Sequence, residues 1–253
     1  MTAAVVAGST GLVVQSPPLS SQYPHLTHLQ GSQMLSQLLA HPSISTVHAY
    51  TRRDLPNPTA SSKLHPLTSP DTSAWPSLFP TSANPKVFLS GLATTFSAAG
   101  SLAAQRAIDV DLNYALALAA KASGVDTYVL ISVGFAHARS WLGPYVRMKG
   151  ELEDKIAALG FKHTVFVRPG VIVGRRAPDQ VRVVEAAFQG VARAVGRLGG
   201  AWRDGWAQDD VVIARAAVRG AVECVEGRRA EGVWVMGARE IVRLGRVGKG
   251  ESR

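Results

Sequence analysis

Tyr145 and Lys149 stand four residues apart in Pro144-Tyr145-Val146-Arg147-Met148-Lys149-Gly150-Glu151. On a helix that spacing places both side chains on one face. A free phenol, with a pKa of about 10, is a poor acid–base group at neutral pH. A neighbouring ammonium stabilises the phenolate and brings that value down. A tyrosine tuned in this way can give or take the proton that accompanies hydride transfer at a carbonyl or an alcohol. The lysine would also hold the ribose next to a nicotinamide. Pro144 suits the first position of the helix. Ser132, which ends the apolar run Tyr128–Ile131, is the candidate for orienting a carbonyl oxygen. The alternative for the pair is an ordinary surface helix face.

Such chemistry needs a cofactor, and the start of the chain offers a place for one. Val5-Val6-Ala7-Gly8-Ser9-Thr10-Gly11-Leu12-Val13 reads as an apolar strand running into a glycine turn. A helix opening there would point unpaired N–H groups and its positive end at a phosphate. Gly8 permits the tight turn, and Gly11 permits close approach of a pyrophosphate. A third glycine is expected three residues after Gly11, but Val14 occupies that place. The run from Val14 to Gln30 carries Pro17, Pro18 and Pro24, which forbid the helix that should begin there. Joining Val13 to Gly31 restores a complete G-x-x-G-x-x-G followed by an amphipathic helix. Positions 14–30 therefore read as an insertion, either a retained intron or a surface loop. The strand Ser45–Tyr50 ends in Thr51-Arg52-Arg53 where an NAD-specific fold carries an acid. Arginine there suits the additional phosphate of NADP, Arg52 first and Arg53 second, with two solvated arginines as the alternative.

The elements that must position these residues follow in order. Residues 54–85 are rich in Pro, Ser and Thr and read as an irregular surface excursion, with a short strand at Lys63–Leu67. Lys86–Ser90 is a buried strand, Ser101–Ser123 a helix stopped by Gly124, and Tyr128–Ser132 the next strand. The helix at Pro144 ends near Gly160, and His163–Gly174 is a strand with a proline–glycine exit. That exit, Pro169-Gly170-Val171, would lie beside a nicotinamide. Residues 181–227 read as two helices. The Trp202–Trp206 segment between them reads as aromatic packing, with a cover over the substrate as its alternative. A short strand at Gly232–Met236 follows. Alternating short strands and helices predict an α/β fold with a doubly wound parallel sheet.

Composition limits the partners. The 253 residues suit one domain, and the single cysteine, Cys224, excludes an internal disulfide and fits a reducing compartment. No apolar run approaches the ~20 residues of a membrane-spanning helix. The first strand begins so close to Met1 that no cleavable presequence is expected. The net charge of +9 would suit nucleic acid, an anionic membrane surface or an anionic cofactor. The arginines are scattered and no nucleic-acid motif is present, so no nucleic-acid partner is expected. His25, His28, His41 and His48 have no metal-ligand spacing, and no metal is expected.

The chain resembles the atypical branch of the short-chain dehydrogenase/reductase superfamily. It is similar there to the fungal Found in Mitochondrial Proteome proteins and the animal Tat-interacting oxidoreductase. The matching text is Val5–Val13, Phe88–Thr95, Ala99–Asn113, Tyr128–Ser132, Tyr145–Glu153, Arg168–Gly174 and Ile241–Gly245. The resemblance implies a Rossmann-type NAD(P)-binding fold with Gly8, Ser9, Thr10, Gly11 and Leu12 around the pyrophosphate. It implies Arg52 at the adenosine phosphate, and Leu92 and Ala93 along the cofactor. It implies Tyr145 and Lys149 as the active pair, Arg168–Val171 near the nicotinamide, and Asn113 as a helix and water-chain residue. It further implies peripheral association with the cytosolic face of the mitochondrial outer membrane, with a cytoplasmic location as the alternative. Two departures stand out: the interrupted glycine turn, and Val133, where relatives carry a second serine after Ser132. The expectation is a single Rossmann-type domain over residues 1–253. It would be an NADP-dependent oxidoreductase acting on a carbonyl or alcohol. The alternative is a catalytically silent NADP-binding regulatory or scaffold protein.

Overall fold

The computed structural model describes residues 2–8, 29–55, 60–172, 207–208 and 210–246. Strand β1 (Thr2–Ala7) is followed by helix α1 (Leu29–Ala40) and strand β2 (Ile44–Thr51). Strand β3 (Leu64–Thr68) and two 3-10 turns (Thr72–Leu78 and Thr81–Ala83) precede β4 (Val87–Ser90). Then come α2 (Phe96–Ala99), α3 (Leu102–Arg106), a π turn (Ala107–Leu112) and α4 (Asn113–Ala122). Strand β5 (Thr127–Ile131), α5 (Pro144–Ala158) and β6 (His163–Val167) complete the half that carries the tyrosine. A two-residue pair, β7 (Val171–Ile172) with β8 (Ala207–Gln208), leads to α6 (Asp210–Val225), β9 (Gly232–Met236) and α7 (Ala238–Gly245).

Among the described residues, seven strands form one sheet in the order β3-β2-β1-β4-β5-β6-β9. Every pairing in it is parallel, with Val5 opposite both His48 and Phe88, and Val129 opposite both Leu89 and Val165. Strands β4, β5 and β6 are buried throughout, as a parallel sheet covered on both faces requires. Successive residues alternate between the faces. Ala4, Val6, Leu89 and Val129 pack with Met34 and Leu38 of α1 and with Ile213, Ala217 and Val218 of α6. Val5, Ala7, Phe88, Tyr128 and Leu130 pack with Leu116 of α4 and with Leu152 and Ile156 of α5. This is the expected doubly wound Rossmann-type architecture, and it puts the strand order's reversal between β1 and β4.

Three local features differ from the sequence reading. Helix α1 begins at Leu29, two residues ahead of Gly31, so the last residues of the presumptive insertion are helical. Within the stretch read as an irregular excursion, the short strand expected at Lys63–Leu67 is present as edge strand β3, and what the reading lacks is the 3-10 turn after it. There Asp71 caps the turn by accepting the Ser73 N–H at 2.9 Å. Trp75 is 3% exposed, stacks on Tyr50 at 5.2 Å between centroids, and donates Nε1–H to the Ser69 carbonyl. The exposed excursion is thus corrected to a cover for the sheet edge. Finally, the helix expected over Ser101–Ser123 contains the π turn, whose extra residue turns Asp109 and Asn113 fully inward. The Trp202–Trp206 segment and the first of the two helices expected in 181–227 lie outside the described residues; α6 corresponds to the second.

Candidate functional site

The exits of β1 and β4 touch at the switch point. Gly8 leaves β1 with φ +86°, and a Cβ there would stand 2.7 Å from the Gly91 carbonyl carbon and 2.9 Å from the Leu92 nitrogen. Gly91 is pressed from the other side, its Cβ position lying 2.5 Å from Met34 Cε of α1. The loop after β4 is fixed from below by Asn113. Its Nδ2 donates to the Leu92 carbonyl at 3.1 Å, and its Oδ1 accepts from Ser90 Oγ at 2.5 Å. Leu92 is buried and Ala93 half-buried beside it, so both candidate cofactor contacts sit on a fixed shelf. Ser9, Thr10, Gly11 and Leu12, the remainder of the expected phosphate turn, lie outside the described residues.

Arg52 and Arg53 follow β2 directly. Thr51 is buried and ties the turn by hydrogen bonds with the Arg53 backbone. Arg52 is half-buried and Arg53 exposed, and no carboxylate among the described residues pairs with either. Strand β2 lies three strand positions from β5, or about 14 Å at the usual spacing. The arginines and the tyrosine therefore stand well apart along the line of strand ends.

At the other end, Pro144 opens α5, as the sequence predicts. Tyr145 is half-buried, while Lys149, one turn on, is 1% exposed. Lys149 Nζ lies 5.9 Å from the Tyr145 ring centroid and makes no hydrogen bond among the described residues. Gly150 lets the loop after β5 press on the helix: a Cβ there would stand 2.2 Å from the His137 carbonyl carbon. That loop is pinned to the exit of β6, with Ser132 N donating to the Val167 carbonyl at 2.8 Å and Gly134 N to the Pro169 carbonyl at 2.9 Å. Pro169 is buried and Gly170 half-buried, and the backbone of Val171 enters β7. Arg168 is bound bidentately by Glu153 of α5, which anchors this exit to the helix bearing the tyrosine. The mutual hydrogen bonding holds the Arg168 guanidinium above its ordinary value.

The Ser132 hydroxyl is buried and makes no hydrogen bond, to Tyr145 or to any other described residue. By strand alternation it faces the α4–α5 side with Tyr128 and Leu130, the side on which Lys149 lies. The structure thus brings Tyr145, Lys149, Ser132 and the Pro169–Gly170 exit to the ends of β5 and β6. It also brings in Asp109, a buried acid beside Lys149 that the residue pattern does not mark as a site. Asp109 and Asn113, four apart on one helix face, were the available signal. Among the described residues, no cluster of His, Cys, Asp and Glu could hold a metal ion.

Relatives of known name cover nearly the whole chain. It is 42% identical over 226 residues to "Protein fmp52-1, mitochondrial" of Aspergillus terreus, spanning 87% of this chain and 96% of that one. It is 42% identical over 239 residues to "Protein fmp-52, mitochondrial" of Neurospora crassa, spanning 91% and 97%. The chain belongs to the fungal fmp52 family. No family model matches it. Among solved structures, MoeE5 in complex with UDP-glucuronic acid and NAD shares its fold, with a TM-score of 0.61 and 18% identity over 93% of this chain and 75% of that one. The UDP-glucose 4-epimerase of Thermotoga maritima shares it with a TM-score of 0.59 and 13% identity, over 99% and 88%. The fmp52 relatives are mitochondrial by name, and no described helix of this chain is long and apolar enough to cross a membrane.

Proposed function

We propose that this fmp52-family chain is an NADP-dependent oxidoreductase of the short-chain dehydrogenase/reductase type, acting on a small carbonyl or alcohol. The observation that carries the reading is the buried Lys149 ammonium, without a hydrogen-bond partner among the described residues, one helical turn below a half-buried tyrosine at the strand ends of a Rossmann-type sheet. An orphaned buried ammonium fits a ribose hydroxyl, and the Gly8–Gly91 crossing fits a pyrophosphate passing over bare backbone. A bound nicotinamide dinucleotide supplies or takes up the hydride. Tyr145 donates its phenolic proton to the developing alkoxide, or accepts it in the reverse direction. Lys149 stands beneath the phenol ring and holds the ribose. Ser132 orients the substrate oxygen, and Pro169, Gly170 and Val171 close off the nicotinamide end. Arg52, with Arg53 behind it, meets the adenosine phosphate. Peripheral docking on the mitochondrial outer membrane accords with the relatives' names and the net charge of +9.

One observation favours a second reading. Val133 has no hydroxyl where the resemblance expects one, which suits a silent NADP-binding regulatory or scaffold protein. Calorimetric titration and an NADPH-consumption screen over aldehydes, ketones and quinones separate the two. Arg52→Ala should weaken NADPH binding by roughly 10–100-fold, the worth of a charged hydrogen bond, and leave NADH nearly unchanged. Tyr145→Phe should bind NADPH within a few-fold of the parent and lose turnover. Bound cofactor with no turnover on any substrate favours the scaffold. No binding of either nucleotide overturns the proposal.

A further inference from the structure

Beneath Tyr145 lies a pair of buried opposite charges. Asp109 is 0% exposed and sits in the π turn against which α5 packs. Its Oδ1 accepts the Thr94 N–H at 2.6 Å, while its Oδ2 is buried and makes no hydrogen bond. Lys149 Nζ is likewise buried without one. The elements around Asp109 fix its aim. Gln105 Nε2 holds the Thr94 carbonyl at 3.0 Å, and Asn113 Nδ2 holds the carbonyl of Asp109 itself at 3.2 Å. Burial raises the Asp109 carboxyl above the usual carboxylate range, and the Lys149 ammonium opposes that rise. Of the other charged groups on these elements, Arg147 and Asp154 of α5 are exposed and Lys155 pairs with Glu151. Arg106 of α3 binds Glu151, with Asp111 of the π turn beside it, and Glu153 binds Arg168. Thr94, Asn113 and Ser132 bring no charge.

We infer that Asp109 is the positioning residue for Lys149: its fixed carboxylate aims the ammonium beneath Tyr145 and supplies the counter-charge that lets it stay buried. A lone ion at such depth costs several kcal/mol, and an opposite charge offsets much of that. An ammonium has three donors. None of them bonds Asp109, whose charge acts across a gap, so they stay available to the tyrosine and a ribose hydroxyl. The link to catalysis rests on the proposed role of Lys149; the charge pair itself does not.

The test is a double-mutant cycle in the full chain with Asp109→Asn, Lys149→Met and both together, followed by urea unfolding at pH 8 and pH 5. Asn keeps the acceptor for Thr94 N–H, so only the charge is removed. The double variant should be more stable than the summed single losses by about tenfold in the unfolding constant, within the range for interacting residues. That coupling should shrink toward lower pH, as Asp109 takes up its proton above the usual carboxylate range. A purely structural Asp109 would give additive losses with no pH dependence, and that result overturns the inference. Should Asp109→Asn fail to fold, the 15N signal of the Lys149 ammonium, assigned by its loss in Lys149→Met, decides instead. It should titrate with a carboxyl in the parent chain, and a flat profile overturns the inference. NADPH titration then reads the functional link: Asp109→Asn should bind about tenfold more weakly, and the double variant no more weakly than Lys149→Met. If the parent chain binds no NADPH, the cofactor proposal fails while the cycle still decides the pair.

Discussion

Gly8 shows how little room the candidate site leaves at its narrowest point. All three atoms that a Cβ would meet there belong to the backbone of Gly91 and Leu92, and backbone cannot rotate away. The φ of +86° adds a second penalty for any L side chain. Gly8→Ala should therefore cost about 2–4 kcal/mol, combining positive-φ strain with an overpacked contact. It should also remove NADPH binding, because β1 and β4 must separate at the phosphate end. Urea unfolding and calorimetry check this, and an unchanged midpoint would refute the crossing. Gly8 was legible as a tight turn because a glycine directly after an apolar strand permits one, though such turns are common and do not by themselves mark a phosphate site. Tyr145 and Lys149 were legible from their spacing. Asp109 was not, because an acid in a helix ordinarily faces water, and nothing in Ala107–Leu112 announces the extra residue that turns it inward.

Among elements, α3 and α5 are tied by a cluster on the outer side of the buried pair. Arg106 donates to both oxygens of Glu151, at 2.7 Å and 2.5 Å, and Lys155 approaches the same carboxylate at 3.1 Å. The Arg106 hydrogen bonds, then Lys155, hold the Glu151 carboxyl down at about 2. A depressed carboxyl gives stability that is fully present above its unfolded value near 4.5 and is lost as pH falls toward about 2. The side chains are 40% and 32% exposed, so solvent screens the pair and limits it to about 1 kcal/mol. Glu151→Gln should lower stability by up to that amount at pH 7. The gap should narrow as acid is added and be nearly gone at pH 2. A gap that persists at pH 2 would assign the loss to packing instead. Helix α5 itself was readable at both ends, from Pro144 and Gly160, and the central strands were readable as short fully apolar runs. The cover around Trp75 was not. Its Pro-, Ser- and Thr-rich text looks like a loop, and only the partner ring of Tyr50 makes it part of the core.

At the scale of the whole molecule, the described candidate groups lie along one line of strand ends, from Arg52 after β2, past Gly8 and Leu92, to Ser132 and Tyr145 beyond β5 and Pro169 beyond β6. The sheet order makes that line, and the alternation of strands and helices was enough to anticipate it. What the alternation does not fix is how β1 is joined to α1. That helix packs Met34, Leu35 and Leu38 onto the sheet and starts at Leu29, which leaves Gly31 inside its first turn. A glycine in a helix interior costs up to about 1 kcal/mol. At the head of a phosphate turn the same glycine allows close packing of helix on strand. Deleting Val14–Gln30 would join Val13 to Gly31 and make that glycine the third of a restored G-x-x-G-x-x-G turn. Loop-closure entropy changes slowly with length, so the shorter connection should fold at least as well. It should also bind NADPH at least tenfold more tightly than the full chain in paired calorimetric titrations, because the helix N-terminus then meets the pyrophosphate directly. Equal affinity would mean that the extra residues loop out beside an intact site. Weaker binding by the shortened chain would mean that residues 14–30 belong to the site, and the turn at Gly8 would have to be read together with them.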